Sequence, residues 1–295
     1  MRKRLAVSVS LLTTVLVGAL VAAVADADAS RSKQAAAGQT QVELVEAGEG
    51  DRQPLRYRFE AGQRTRLRFT LEMDMQASMG ERRSDVDMPA VRLDLDLGPT
   101  AVTDGHLRYP WRVSGLDVVG GAEGPAREQF EQGFSGLEGA HGVAEIDDRG
   151  RVIDLTFELP EGAAPELRQH AQTLRDGLGQ LTPPLPEEAV GTGAVWRIGT
   201  QLRMQGMSLS MSSEYRLRRR AGDRLELQTR VRNADGSQLP PGAQLDVTGS
   251  GRTRLELDRL GARSRARTVT EILNRGAQGE MRMRLEQRTE LAPRS

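Results

Sequence analysis

Residues 64–75 read Arg64-Thr65-Arg66-Leu67-Arg68-Phe69-Thr70-Leu71-Glu72-Met73-Asp74-Met75. The odd positions are apolar apart from Thr65, and the even ones are charged apart from Thr70. Successive side chains of a strand point to opposite faces, so an extended backbone sorts this stretch into an oily face and an ionic one. A helix would smear both kinds around its circumference. The period of two predicts a half-buried strand.

The same alternation recurs at 55–60, 91–97, 107–113, 153–159, 225–231, 255–257 and 281–285. Pro110 has no N–H to give a ladder, which predicts an edge strand or a bulge there. Between Trp196 and Met211 the apolar positions are even up to Met204 and odd from Met207. A bulge or sharp bend at Gly206 would restore the facing. Turn residues gather at 148–150, 221–223 and 233–236, where hairpins need them. Two segments depart from the pattern. Pro125 can open a helix over 125–138 that aligns Phe130, Phe134 and Leu137, and Pro165 one over 165–181 that aligns Leu167, Ala171, Leu174, Leu178 and Leu181. Apolar helix stripes and an oily sheet face both need cover, and packing one on the other satisfies both. The expected fold is mainly β (α+β): one large curved antiparallel sheet or half-open barrel of about twelve strands, with two covering helices.

The chain has 295 residues, 41 basic and 41 acidic groups and no cysteine. The neutral balance argues against nucleic acid as a partner. Without cysteine there is no thiol catalysis, thiolate metal site or disulfide. Arg2, Lys3 and Arg4 precede an apolar run from Leu5 to Val24, and Ala25-Asp26-Ala27-Asp28-Ala29 offers small-x-small cleavage sites. That order is the pattern of a secretory signal over 1–29, with an uncleaved membrane anchor as the alternative. Export to the periplasm or beyond is the expected destination. Residues 30–53 read as a flexible polar linker and 54–295 as a single β-rich domain.

Residues 184–196, Pro184-Leu185-Pro186-Glu187-Glu188-Ala189-Val190-Gly191-Thr192-Gly193-Ala194-Val195-Trp196, resemble an "LPxEPVGxGxxW"-like segment of uncharacterised secreted bacterial proteins, a domain-of-unknown-function family. Ala189 stands where that pattern has proline. The resemblance extends to the Leu55-Arg56-Tyr57-Arg58-Phe59 stretch, so it spans residues 54–291. It implies a secreted protein and no particular activity. The expected architecture also looks like the half-barrels of periplasmic lipoprotein carriers, a likeness of fold alone.

Nine methionines follow the initiator, and Met73/Met75 and Met281/Met283 share strand faces. Three readings fit them: core filler, an adaptable wall for acyl chains, and a thioether site for Cu(I). The expected ligand-lining residues are Phe69, Leu71, Met73, Met75, Trp196, Met204, Leu209 and Met211 from the sheet, with Leu174 and Leu178 from the second helix. The arginines of 216–220 and 252–267 read as a solvated face, or as a rim for anionic head groups. There is no Gly-x-Ser-x-Gly elbow, no His-Glu-x-x-His and no P-loop, and the three histidines are scattered. The sequence therefore points to a non-enzymatic envelope protein with no metal site and no cofactor. It would bind a lipid or lipoprotein acyl chain and contact a membrane surface. The alternative is a structural or interaction module with a solid core.

Overall fold

The computed structural model describes residues 41–80, 82–121, 124–163, 167–168, 181–204, 207–239, 242–276 and 279–294. The expected signal at 1–29 lies outside them. In chain order the first strands are β1 (Val42–Glu46), β2 (Glu49–Gln53), β3 (Thr65–Met79), β4 (Arg82–Asp87), β5 (Ala90–Leu97), β6 (Ala101–Thr103) and β7 (His106–Val119). Helix α1 (Pro125–Phe134) follows, then β8 (His141–Ile146), β9 (Val152–Leu155) and β10 (Val190–Thr192). The last are β11 (Val195–Met204), β12 (Met207–Ala221), β13 (Arg224–Asn233), β14 (Ala243–Glu256), β15 (Ala262–Gly276) and β16 (Gly279–Pro293).

Fourteen strands form one antiparallel sheet in the order β1-β11-β12-β13-β14-β15-β16-β3-β5-β7-β8-β9, with β4 beside β3 and β6 beside β7. Strands β2 and β10 form a separate pair. The quoted stretch is the middle of β3. Leu67, Leu71, Met73 and Met75 are buried on one face while Arg66, Glu72 and Asp74 are exposed on the other. Pairing with β16 runs without a break from Pro293↔Leu67 to Met281↔Met79.

Main-chain bonds show that the sheet curls. Tyr57 N donates to Asp148 O (2.7 Å), after β8, and Arg58 N donates to Leu257 O (2.6 Å), after β14. Strands β8 and β14 are six steps apart in the sheet, which in a flat sheet would separate their ends by roughly 29 Å. Consecutive residues cannot span that gap, since each adds at most about 3.6 Å. Residues 181–190 make a second bridge: Leu185 N donates to Arg149 O (2.9 Å) beside β8, and Trp196 Nε1 of β11 donates to Pro184 O (2.9 Å). Two straps therefore fill the seam at this end, and the sheet is not closed strand to strand. Gly150 makes the fit possible. Its φ is +76°, and a Cβ there would lie 2.7 Å from Tyr57 Cε2.

Several expectations need correction. Two covering helices are not supported: α1 is present, with Phe134 buried in the core, but among the described residues helix is only 4% against 65% strand. Most of the expected 165–181 helix lies outside the described residues. The strand count exceeds twelve because β14 and β15 carry Gly, Ser and Thr on the inner face, which dilutes the alternation. Residues 55–60 keep strand periodicity, with Leu55 and Tyr57 buried, but form a strap. The phase change between Met204 and Met207 is a hairpin: the two pair across β11 and β12, which puts positions three apart on one face. Residues 42–53, read as linker, form β1 and β2, because Val42 and Leu44 pack against the strapped core.

Pro110 is not at an edge. It pairs with Val143 of β8, and on its other side its carbonyl accepts from Gly98 N (2.8 Å), in the gap between β5 and β6. A residue's N and O point to the same side of a strand, so the missing N–H falls in that gap and no ladder bond is lost.

Candidate functional site

The inner face changes character along its strands. At the strapped end it is filled with large side chains. Trp196, Leu55, Leu185, Leu217, Leu225, Leu227 and Leu257 are each less than 2% exposed. Trp196 stacks on Tyr215 (centroids 5.9 Å) and Tyr57 on Phe59 (5.1 Å), while Tyr57 Oη donates to Pro183 O (2.9 Å). Burial raises the phenol pKa of Tyr57, and raises those of Tyr109 and Tyr215 to about 12. These groups stay neutral in the physiological range, as packed hydroxyls must.

Two or three residues further along the strands the floor becomes small. One row across the sheet reads Tyr215-Thr229-Gly251-Ala266-Thr289-Leu71, and the next reads Ser213-Val231-Gly249-Thr268-Gln287-Met73. The two glycines have a steric cause. A Cβ on Gly251 would lie 3.1 Å from Ala266 Cβ, and one on Gly249 would lie 3.0 Å from Thr268 Oγ1. Where a sheet curls toward one face, the Cβ atoms on that face crowd, and glycine relieves the crowding. Thr229, Gly249, Gly251, Ala266 and Thr268 are all half-buried rather than sealed. The result is a trough floored by small groups.

One wall of the trough is apolar and well packed. Leu71, Met73 and Met75 of β3 join Met283 and Leu285 of β16 in one buried cluster, flanked by half-buried Phe69, Val86, Met88, Phe130 and Ile272. Register explains the cluster: Leu285 faces Met75 and Met283 faces Ala77 across the β3–β16 pair. All nine later methionines occupy positions in the half of the sheet away from the straps. Met79 ends β3, Met281 lies near the start of β16, and Met204 and Met207 flank the β11–β12 turn.

The structure thus brings together Phe69, Leu71, Met73 and Met75. Trp196 is placed in the strapped core, with no exposed surface. Leu209 is buried and Met211 half-buried on β12, five strands away from β3 on the same face. Met204 pairs with Met207 where β11 meets β12, and Leu174 and Leu178 lie outside the described residues. Leu285, Ile272 and Phe130 were missed. Leu285 and Ile272 sit in alternating strands, but only cross-strand register shows that they meet Met75 and Met283. The Gly249-Ser250-Gly251 repeat inside a strand-like stretch was the available signal for the floor.

The outer face is a lattice of ion pairs. Arg68 Nε and Nη2 donate to Asp94 Oδ1 (2.8 Å) and Oδ2 (3.0 Å), and Arg294 bonds the same carboxylate. Arg267 and Arg288 share Glu286. The Arg68 bond holds the Asp94 carboxyl below its usual range, and the Arg267 bond does so for Glu286. Asp147 is buried, but its carboxylate is taken up by Arg149 N, Arg151 N and Arg151 Nε, the pattern of a turn-closing side chain. Among the described residues no cluster of His, Asp or Glu is arranged to hold a metal ion.

No protein-family model matches the chain. No curated protein matches it either. A matching solved structure is described as "lipid-protein interactions in lipovitellin", at 10% sequence identity and a TM-score of 0.48. The alignment covers 81% of this chain and 26% of that one, so this chain spans about a quarter of its length. The likeness is a loose one of backbone path. The functional reading rests on the chain's own residues.

Proposed function

We propose that this is an exported, non-enzymatic envelope protein that holds an apolar ligand, an acyl chain of a lipid or lipoprotein, in the trough of its curled sheet. One observation carries the reading. A methionine-rich wall (Met73, Met75, Met283) stands beside a floor of Gly249, Gly251, Ala266 and Thr268, whose side chains are smaller than the leucines of the strapped end. Unbranched thioether side chains adapt to acyl chains of varied shape. The floor also carries the hydroxyls of Thr229, Thr268 and Thr289, so the apolar contact to a ligand falls to the methionine wall. Export by the 1–29 segment would place such a protein among lipids.

The test is uptake of a fluorescent fatty acid by the purified protein and by Gly251→Leu, which puts an isobutyl group on the trough floor. Saturable uptake that the substitution abolishes supports the reading; uptake by neither protein ends it. The close-packed strapped end favours a second reading, a solid interaction module, and the same experiment separates the two.

A further inference from the structure

The outer face carries a second site of different chemistry. Over most of the lattice, acid stands beside base. Even where Arg267 faces Arg288 directly, Glu286 bonds both. Strands β14 and β15 break that rule twice in succession. Arg252 faces Arg265 and Arg254 faces Arg263, so four exposed arginines form a quartet on one outward patch. Directly opposed like charges are destabilising in a sheet. Glu290 pairs with Arg265 (2.8 Å) and Glu226 with Arg254 (3.3 Å) at the outer flanks, which leaves Arg252 and Arg263 without an ion-pair partner among the described residues.

Beside the quartet lies a depression of about 670 Å3 at the strapped end. Arg64, Arg224, Arg254, Arg259 and Arg263 line it against only two acids, Glu226 and Glu256. Glu256 already bonds both Arg224 (2.9 Å) and Arg259 (3.0 Å). The lining therefore keeps an excess of three positive charges, with Arg64 and Arg263 unengaged among the described residues. Guanidinium forks match phosphate oxygens in a bidentate way, and no other common anionic group accepts from several forks at once so well.

We propose that the quartet and its depression form a phosphate-binding site, the phosphate being carried by an anionic lipid headgroup or free in solution. The site does not rest on the trough: the depression is lined by residues 224–226 and 254–263 at the strapped end, and the trough floor at Gly249 and Gly251 lies further along the strands. Failure of one leaves the other standing.

The test uses the full chain, Arg252→Gln/Arg263→Gln, and Arg82→Gln/Arg83→Gln. The last pair makes the same charge change on β4, at the far end of the sheet. Sedimentation with phosphatidylglycerol-containing vesicles is compared with neutral phosphatidylcholine vesicles, which also reveals any attachment through an apolar leader. The expected result is salt-sensitive binding to the anionic vesicles, weakened about thirtyfold in Arg252→Gln/Arg263→Gln and unchanged in the β4 variant. If vesicles do not bind but inorganic phosphate raises the melting temperature of the parent and not of Arg252→Gln/Arg263→Gln, the site stands and its ligand is a free phosphate. Equal binding by all three proteins, equal loss in both variants, or no response to either probe overturns it.

Discussion

The strapped end and the methionine end are built by the same strands, yet they solve opposite problems. On β12 and β13 the inner face runs from Leu217, Leu225 and Leu227 at the straps to Ser213, Thr229 and Val231 further along. On β14 it runs from Leu255 through Thr253 to Gly251 and Gly249. Alternation sets which face is inside in both halves. Side-chain size then decides whether the inside is filled. A sheet that curls around two straps can be sealed where leucines meet, and only half-buried where glycine and threonine replace them.

The largest contrast is expected on truncation. Trp196→Ala removes a fully buried indole and its bond to Pro184 O, and should cost about 3–5 kcal/mol in urea unfolding. A cost near zero would mean that the straps do not hold the seam. Overpacking should divide the two ends more sharply. Leu227→Phe, in the filled half, is expected to lose about 1–3 kcal/mol. Met73→Phe, on the trough wall, should lose less than that and lower acyl-chain uptake, because the unbranched side chains of Met75 and Met283 in the same cluster can refit around the ring. Equal destabilisation by both would erase the distinction between the ends.

A smaller effect is expected for Tyr57→Phe, which deletes one strap hydrogen bond to Pro183 O, about 1 kcal/mol by thermal or chemical melting. The smallest concerns the outer lattice. Arg68 holds the Asp94 carboxyl below its unfolded value of about 3.9. That contribution is therefore present above about pH 4 and fades as pH falls through the lowered folded value. Asp94→Asn should narrow its stability deficit against the parent as the solution is acidified below that point. A deficit independent of pH would assign the loss to packing.

Much of this was legible in the residues. The period of two in 64–75 and its repeats gave the sheet and its inner face, and the glycine-bearing turns at 150 and 222 lie between β8 and β9 and between β12 and β13. What stayed hidden depends on register and on non-local partners. Residues 55–60 look like a strand because Leu55 and Tyr57 bury alternate side chains, yet Tyr57 and Arg58 bond to backbone just beyond two separate strands, β8 and β14. Met204 and Met207 look like a slipped phase because direct pairing of positions three apart shifts the pattern as a bulge would. The β3 wall was legible because Met73 and Met75 are two apart. Its union with Met283 and Leu285 was not, because more than 200 residues and twelve intervening strands separate them along the chain.

The central claim is that the trough holds an apolar ligand, and native followed by denaturing mass spectrometry of the gently purified protein tests it most directly. The account predicts a reproducible added mass that leaves on unfolding and extracts as an acyl lipid, and that is missing from Gly251→Leu. A chain that flies bare, and that stays bare after incubation with fatty acid, would contradict it.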